Sequence, residues 1–142
     1  MDIDIVKNSW NALAGRRSQF VDQFYGRLFE RYPDYRKLFP PEMGPQRERM
    51  VEMISSLALW ADHMDLIEPY LENVGFAHRR TGIHTADVQN FTAVFLDTLA
   101  ELHGSGWDER HASAWREVFD DVVIPMFEEG LERGRTETAP QG

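Results

Sequence analysis

His78 stands in the run Val74-Gly75-Phe76-Ala77-His78-Arg79-Arg80-Thr81-Gly82-Ile83, at the end of an amphipathic stretch and just before a glycine break. A neutral imidazole that faces an apolar groove at such a place suits a transition metal, a haem iron among them. Upstream lie Tyr25, Phe39 and Gln46, which supply a phenol, a flat apolar ring and a carboxamide. A metal ligand with two hydrogen-bonding groups ahead of it in sequence fits a pocket for a small gas such as oxygen, which takes on partial negative charge when bound to a metal. Taken alone, His78 reads better as a half-exposed histidine near a helix C-terminus, where a cationic imidazole is mildly favoured. Its joint spacing with the other three tips the balance toward a ligand.

Other chemistry is thin. His63, His84, His103 and His111 lack paired metal spacing, and there is no H-E-x-x-H. No phosphate-cradling glycine loop and no G-x-S-x-G elbow occurs. Asp120-Asp121 and Glu128-Glu129 read as a solvated helix face rather than paired catalytic carboxylates. The chain has no cysteine, which removes disulfides, thiolate haem ligation, iron–sulfur clusters and cysteine nucleophiles.

The 142 residues suit one domain of ordinary size, with no room for a second catalytic one. Hydrophobic residues make up 42% of the chain, enough for a core. The formal net charge is −9, spread along the whole length. That reads as a self-repelling surface, and nucleic acid is not an expected partner, because phosphate contacts need a basic face. The acidic start Met1-Asp2-Ile3-Asp4 carries no signal pattern, and no apolar run approaches the ~20 residues of a membrane helix. A cytoplasmic location, away from the membrane, is the expectation.

The elements that must position these residues are helical throughout, with no alternating strand, hairpin turn or repeat. Ile3, Val6, Trp10 and Leu13 predict a first helix over 3–14, ended by Gly15. Phe20, Phe24, Tyr25, Leu28 and Phe29 predict a second over about 17–31. Pro33 stops it and opens a short turn as far as Leu38-Phe39, where Pro40-Pro41 breaks the chain again. A third long helix runs from Gly44-Pro45 to about Asp62 along Met50, Met53, Ile54, Leu57 and Trp60. The next covers about 66–80 and holds Ile67, Tyr70, Leu71, Val74 and His78, with Gly82 beyond its end. Thr85 or Asp87 opens a helix to about 103, and Gly104-Ser105-Gly106 is a loop. A last helix spans about 108–132 through Ala114, Trp115, Val118, Val122 and Met126, bent or weakened at Pro125; residues 134–142 read as a frayed, disordered tail. Six substantial helices and one short one are too many and too uneven for a four-helix bundle.

The segment from Phe24 to Phe39, together with Gln46-Arg47-Glu48-Arg49-Met50, Ala77-His78-Arg79-Arg80, Trp10 and Ala114-Trp115, resembles bacterial single-domain globins and the globin domain of flavohaemoglobins. The motifs occur in order over about residues 3–130. The resemblance implies an all-α globin fold over residues 1–133 and haem b (iron protoporphyrin IX) as cofactor. It makes His78 the proximal iron ligand and Phe39 the ring that packs on the macrocycle. Tyr25 and Gln46 become the pair facing the bound gas, with Phe24 beside them and Met50 one turn beyond Gln46. Ile54, Val74, Ile83, Val88 and Phe91 would line the slot, while Arg79 and His84 would meet the propionates at its rim. Leu28, Leu57, Val94 and Phe95 are core on any reading.

These roles make physical sense. A buried phenol left without a partner costs roughly 1–3 kcal/mol, and bound oxygen, which carries partial negative charge, would supply one. Gln46 can bond both phenol and gas, since its amide offers donors and an acceptor. The carbonyl of Val74, one turn before His78, is a candidate for the second imidazole nitrogen. The resemblance also implies the ligands dioxygen, nitric oxide and carbon monoxide. Flavohaemoglobins convert nitric oxide to nitrate with electrons from an attached flavin domain. This chain ends at residue 142, so a reductase would have to act in trans. Val88 stands where those enzymes carry a tyrosine that bonds the proximal imidazole, and valine offers no hydrogen bond. The favoured expectation is therefore tight, reversible oxygen binding. A nitric-oxide dioxygenase that borrows its reductase, and a haem-free sensor or interaction module, are the alternatives.

Overall fold

The computed structural model describes residues 2–138. Helix α1 spans Ile3–Asn11, α2 Arg17–Arg31, α3 Gly44–Leu59, α4 Met64–Ala77, α5 Thr85–His103, α6 Glu109–Val118 and α7 Ile124–Thr138. Short 3₁₀ turns fill Pro33–Leu38 and Gly104–Gly106, and a π-helical turn covers Phe119–Val123. No strand occurs among the described residues. None of their helices is long and apolar enough to cross a membrane.

Helix α2 runs over the stretch its apolar stripe predicts. Helix α1 stops earlier than expected, at Asn11, and the chain tightens into i→i−3 turns, Leu13 bonding Trp10 and Ala14 bonding Asn11. Leu13 is buried all the same, so the apolar spacing outlasts the helix. Helix α3 also stops short, at Leu59 rather than near Asp62, with His63 closing a turn on the Trp60 carbonyl; here the last residue of the stripe, Trp60, is exposed. Helix α4 lies earlier than expected, at 64–77 instead of 66–80, which makes His78 its C-cap residue. The 104–106 loop is a single 3₁₀ turn, entered through Gly104 at φ 55°.

The single last helix expected over 108–132 is three pieces. Pro125 has no N–H to give, and its ring crowds the carbonyl four residues back. The widened π turn just before it accommodates both defects. Beyond it α7 reaches Thr138, so residues 134–138 are helical where a tail was expected; residues 139–142 lie outside the described residues.

The core is aromatic. Trp10, Phe20, Phe95 and Trp115 are fully buried, with Phe95 set against Phe20 at 5.2 Å and against Trp115 at 5.3 Å. Each tryptophan also satisfies its N–H: Trp10 donates to Ser55 Oγ at 3.0 Å and Trp115 to Ser9 Oγ at 2.8 Å. These bonds tie α1 to α3 and α6. Helices α4 and α7 form the most extensive contact in the molecule, and glycine permits it. A Cβ on Gly130 would lie 2.0 Å from the Glu72 carbonyl oxygen, and one on Gly75 would lie 2.2 Å from that of Phe127. The two backbones therefore touch. By contrast α3 and α4, though consecutive, make few or no direct contacts, and a cavity opens between them.

Candidate functional site

The cavity holds about 570 Å³ and is walled by α2, the Pro33–Leu38 turn, α3, α4, α5 and the π turn with α7. That size lies in the range of cofactor and ligand pockets, roughly 300–1,000 Å³. Its wall is apolar apart from a few convergent polar groups, His78, Tyr25, Gln46 and Arg49 among them.

His78 enters it from the C-terminal end of α4. Its Nδ1 lies 2.7 Å from the Val74 carbonyl oxygen, which can only accept, so Nδ1 carries a proton and, in the neutral ring, the lone pair is on Nε2. No hydrogen-bond partner for Nε2 is found among the described residues. The Phe127 ring packs on the imidazole at 5.3 Å. A carbonyl held against the far nitrogen in this way fixes a metal-binding imidazole in one tautomer and orientation.

Tyr25, Gln46 and Arg49 form the polar part contributed by α2 and α3. Tyr25 is only 4% exposed, ringed by Phe24 at 5.0 Å, Phe39 at 5.5 Å and Phe29 at 5.8 Å. Gln46 Nε2 donates to the Tyr25 oxygen at 3.2 Å, and Arg49 donates to Gln46 Oε1 at 3.1 Å. Burial pushes the Tyr25 pKa above the usual 10.0, outweighing the opposing pull of the Gln46 bond and of Arg49 and Arg47. Tyr25 therefore remains a neutral O–H donor at any physiological pH. Arg47, next to Gln46, pairs instead with Asp22 at 3.3 Å and staples α3 to α2.

Phe39 is placed by its neighbour Arg36, whose guanidinium donates to the carbonyls of Phe39, Pro40 and Pro41 at 3.3, 3.0 and 3.1 Å. Phe91 is placed by a polar brace: Tyr35 donates to Asp87 at 2.7 Å, Asn90 donates to the Tyr35 oxygen at 2.9 Å, and the Tyr35 ring meets Phe91 at 5.1 Å.

Of the residues singled out in the sequence, Phe24, Tyr25, Phe39, Gln46, Met50, Ile54, Val74, His78, Ile83, Val88 and Phe91 all line this one cavity. Leu57 and Val94 are buried in the core but do not reach it. Arg79 and His84 are not part of its wall. Arg79 folds over Phe76 at 4.1 Å and lies against Gly134 of α7. His84 is exposed and precedes α5, where Asp87 accepts from its backbone N–H at 2.9 Å. Residues that sequence reasoning passed over include Arg49, Glu52 and Thr92, Phe119 and Val123 of the π turn, and Phe127 of α7.

The site suits haem on its own terms. Among the described residues no group of three or more His, Asp, Glu or Cys could hold a bare ion. A lone imidazole with a free lone pair in an apolar slot fits a metal that brings its own planar ligand. Helices packed around such a slot define a class, the all-α proteins that enclose a flat cofactor.

Comparison with known proteins narrows the class. The Globin family model matches residues 22–126. The flavohemoprotein of Bacillus cereus (strain ATCC 10987 / NRS 248) is 23% identical over 141 residues, covering 92% of this chain and 35% of the flavohemoprotein. This chain thus spans about a third of the length of the flavohemoproteins it matches. Anaerobic nitrite reductase NSHB5 of Oryza sativa subsp. indica is 23% identical and is matched over 91% of its length, with 89% of this chain covered. Among solved structures, an engineered carbene transferase, whose Rhodothermus marinus parent is named for nitric oxide dioxygenase activity, superposes with a TM-score of 0.85. That match covers 97% of this chain and 96% of the other at 20% identity, a likeness of fold. The chain belongs to the globin family. Membership implies haem binding.

Proposed function

We propose that this globin binds dioxygen reversibly and tightly, for storage, delivery or scavenging, with haem b as its cofactor, His78 as the proximal ligand and Tyr25 with Gln46 as the pair that retains the gas. The observation that carries this reading is the Gln46 N–H donated to Tyr25. It occupies the phenol oxygen as an acceptor and leaves the phenol proton free for a guest in the cavity. Haem, when bound, supplies the iron on which a diatomic gas is taken up reversibly. His78 holds its Nε2 lone pair inward because Val74 holds its Nδ1 proton. The aromatic sleeve around Tyr25 excludes water that would compete for its hydrogen bond.

One net hydrogen bond of about 1–1.5 kcal/mol changes an equilibrium roughly tenfold. Tyr25→Phe therefore speeds dioxygen release about tenfold, read by stopped-flow mixing of the oxygenated protein with a scavenger. His78→Ala alters the absorption spectrum of the hemin-loaded protein in both ferric and ferrous forms; an unaltered spectrum removes His78 as ligand. A preparation that stays colourless with hemin supplied would leave a haem-free module as the reading. Sustained nitrate formation from nitric oxide, dioxygen and an added reductase would replace storage by catalysis, against the grain of Val88, which lines the cavity without a polar atom to offer the imidazole.

A further inference from the structure

We propose that Arg49 sets the direction of the Tyr25 proton, by deciding which end of the Gln46 carboxamide faces the phenol. The inference rests on the reading of Tyr25 as the donor to a bound gas, and adds the residue that makes it a donor. A guanidinium has N–H groups and no acceptor. The Gln46 atom it meets at 3.1 Å is therefore the amide oxygen. The amide nitrogen is then the end left for Tyr25, at 3.2 Å. A nitrogen can only donate to the phenol oxygen, so the Tyr25 proton must go elsewhere. Phe24, Phe29 and Phe39 enclose the ring and accept nothing. The cavity is the remaining direction.

Without Arg49 the carboxamide has two ways to satisfy Tyr25. In one, Nε2 donates as now. In the other, the amide turns over and Oε1 accepts the phenol proton. The second arrangement satisfies both groups locally and withdraws the donor from the cavity, although Tyr25 and Gln46 are both still present. Arg49 sits three residues after Gln46 on α3, the spacing at which helical side chains meet. It is a positioning residue: it acts through Gln46 and reaches the gas only by way of Tyr25.

The test compares Arg49→Ala, Arg49→Lys, Gln46→Leu and the double variant Gln46→Leu/Arg49→Ala. In the haem-free protein, the ¹⁵N side-chain amide signal of Gln46 shifts in Arg49→Ala and returns toward its original position in Arg49→Lys, because lysine also only donates. In the hemin-loaded, reduced protein, Arg49→Ala releases dioxygen about three- to tenfold faster, the scale of one modest hydrogen bond. Arg49→Lys restores most of the loss, and Arg49→Ala adds nothing in the Gln46→Leu background. An unmoved Gln46 signal overturns the proposal, as does an equal effect of Arg49→Ala with and without Gln46. A Tyr25→Phe variant that releases dioxygen at the original rate sinks the functional reading instead, and a shifted Gln46 signal still establishes the orienting role.

Discussion

Gly130→Ala separates backbone propensity from packing. In an ordinary helix the change stabilises, since glycine is about 1 kcal/mol worse than alanine. Here the new Cβ would stand 2.0 Å from the Glu72 carbonyl oxygen and 2.6 Å from the Phe76 nitrogen, where real contacts begin near 3.0 Å. Both neighbours are backbone, so neither can rotate away, and α7 must retreat from α4 by about 1 Å. Overpacking of this kind costs ~1–3 kcal/mol. With a rigid obstacle the upper end applies, giving a net loss of about 2 kcal/mol after the propensity gain. In a chain of this size that lowers Tm by roughly 8 °C. Gly26→Ala is the control: it lies on the exposed face of α2 with nothing within 4 Å of a Cβ, and should raise Tm by about 4 °C. Both are read by circular dichroism at 222 nm on the haem-free protein. Retreat of α7 also pulls Phe127 off His78, so hemin dissociates faster from Gly130→Ala. A Gly130→Ala protein as stable as Gly26→Ala would refute the close crossing.

Two further outcomes follow from side chains that support the site or its frame. His103 has a pKa below its usual 6.5, chiefly through burial and then through neighbouring His111. Its stabilising effect is full above pH 6.5 and is lost as pH falls through the depressed folded value; the urea midpoint should drop between pH 7.5 and 5.5, and less so in His103→Gln, an equal drop in both clearing His103 of the effect. Arg36→Ala removes the fork that gathers three carbonyls after the 33–38 turn; about 1 kcal/mol of stability and faster hemin loss to a scavenging globin are expected, and unchanged hemin loss would show that Phe39 holds its place without Arg36.

What could be read from the sequence follows from how far each signal acts. Helical spacing acts within one element, and it located every long helix. It overran at Leu13, where the turn buries the same side chain, and past Leu59, where the chain turns on the Trp60 carbonyl and leaves the Trp60 ring exposed. His78, Tyr25, Phe39 and Gln46 were legible because their chemistry is specific and their order matches a family, and they do line one cavity. Arg79 and His84 were harder. Which way a rim cation turns depends on an element far along the chain, here Gly134 of α7 and the N-terminal turn of α5. Arg49 left a trace in its three-residue spacing from Gln46, but its role requires the location of Tyr25 as well.

Phe127 escaped for a separate reason, which lies in the π turn at Phe119–Val123. An apolar stripe continued from Val118 and Val122 falls on Met126, which is only half-buried, whereas Phe127 and Leu131 beyond the turn are buried. One surplus residue in that turn offsets everything downstream by about 100° of helical rotation. Helix α7 is thereby dialled independently of α6, which keeps its own partners on α1. Closing that turn to ordinary α geometry without removing a residue would carry Phe127 about 100° away from the imidazole it packs on. A cofactor wall in this protein is thus set by counting residues as much as by choosing them.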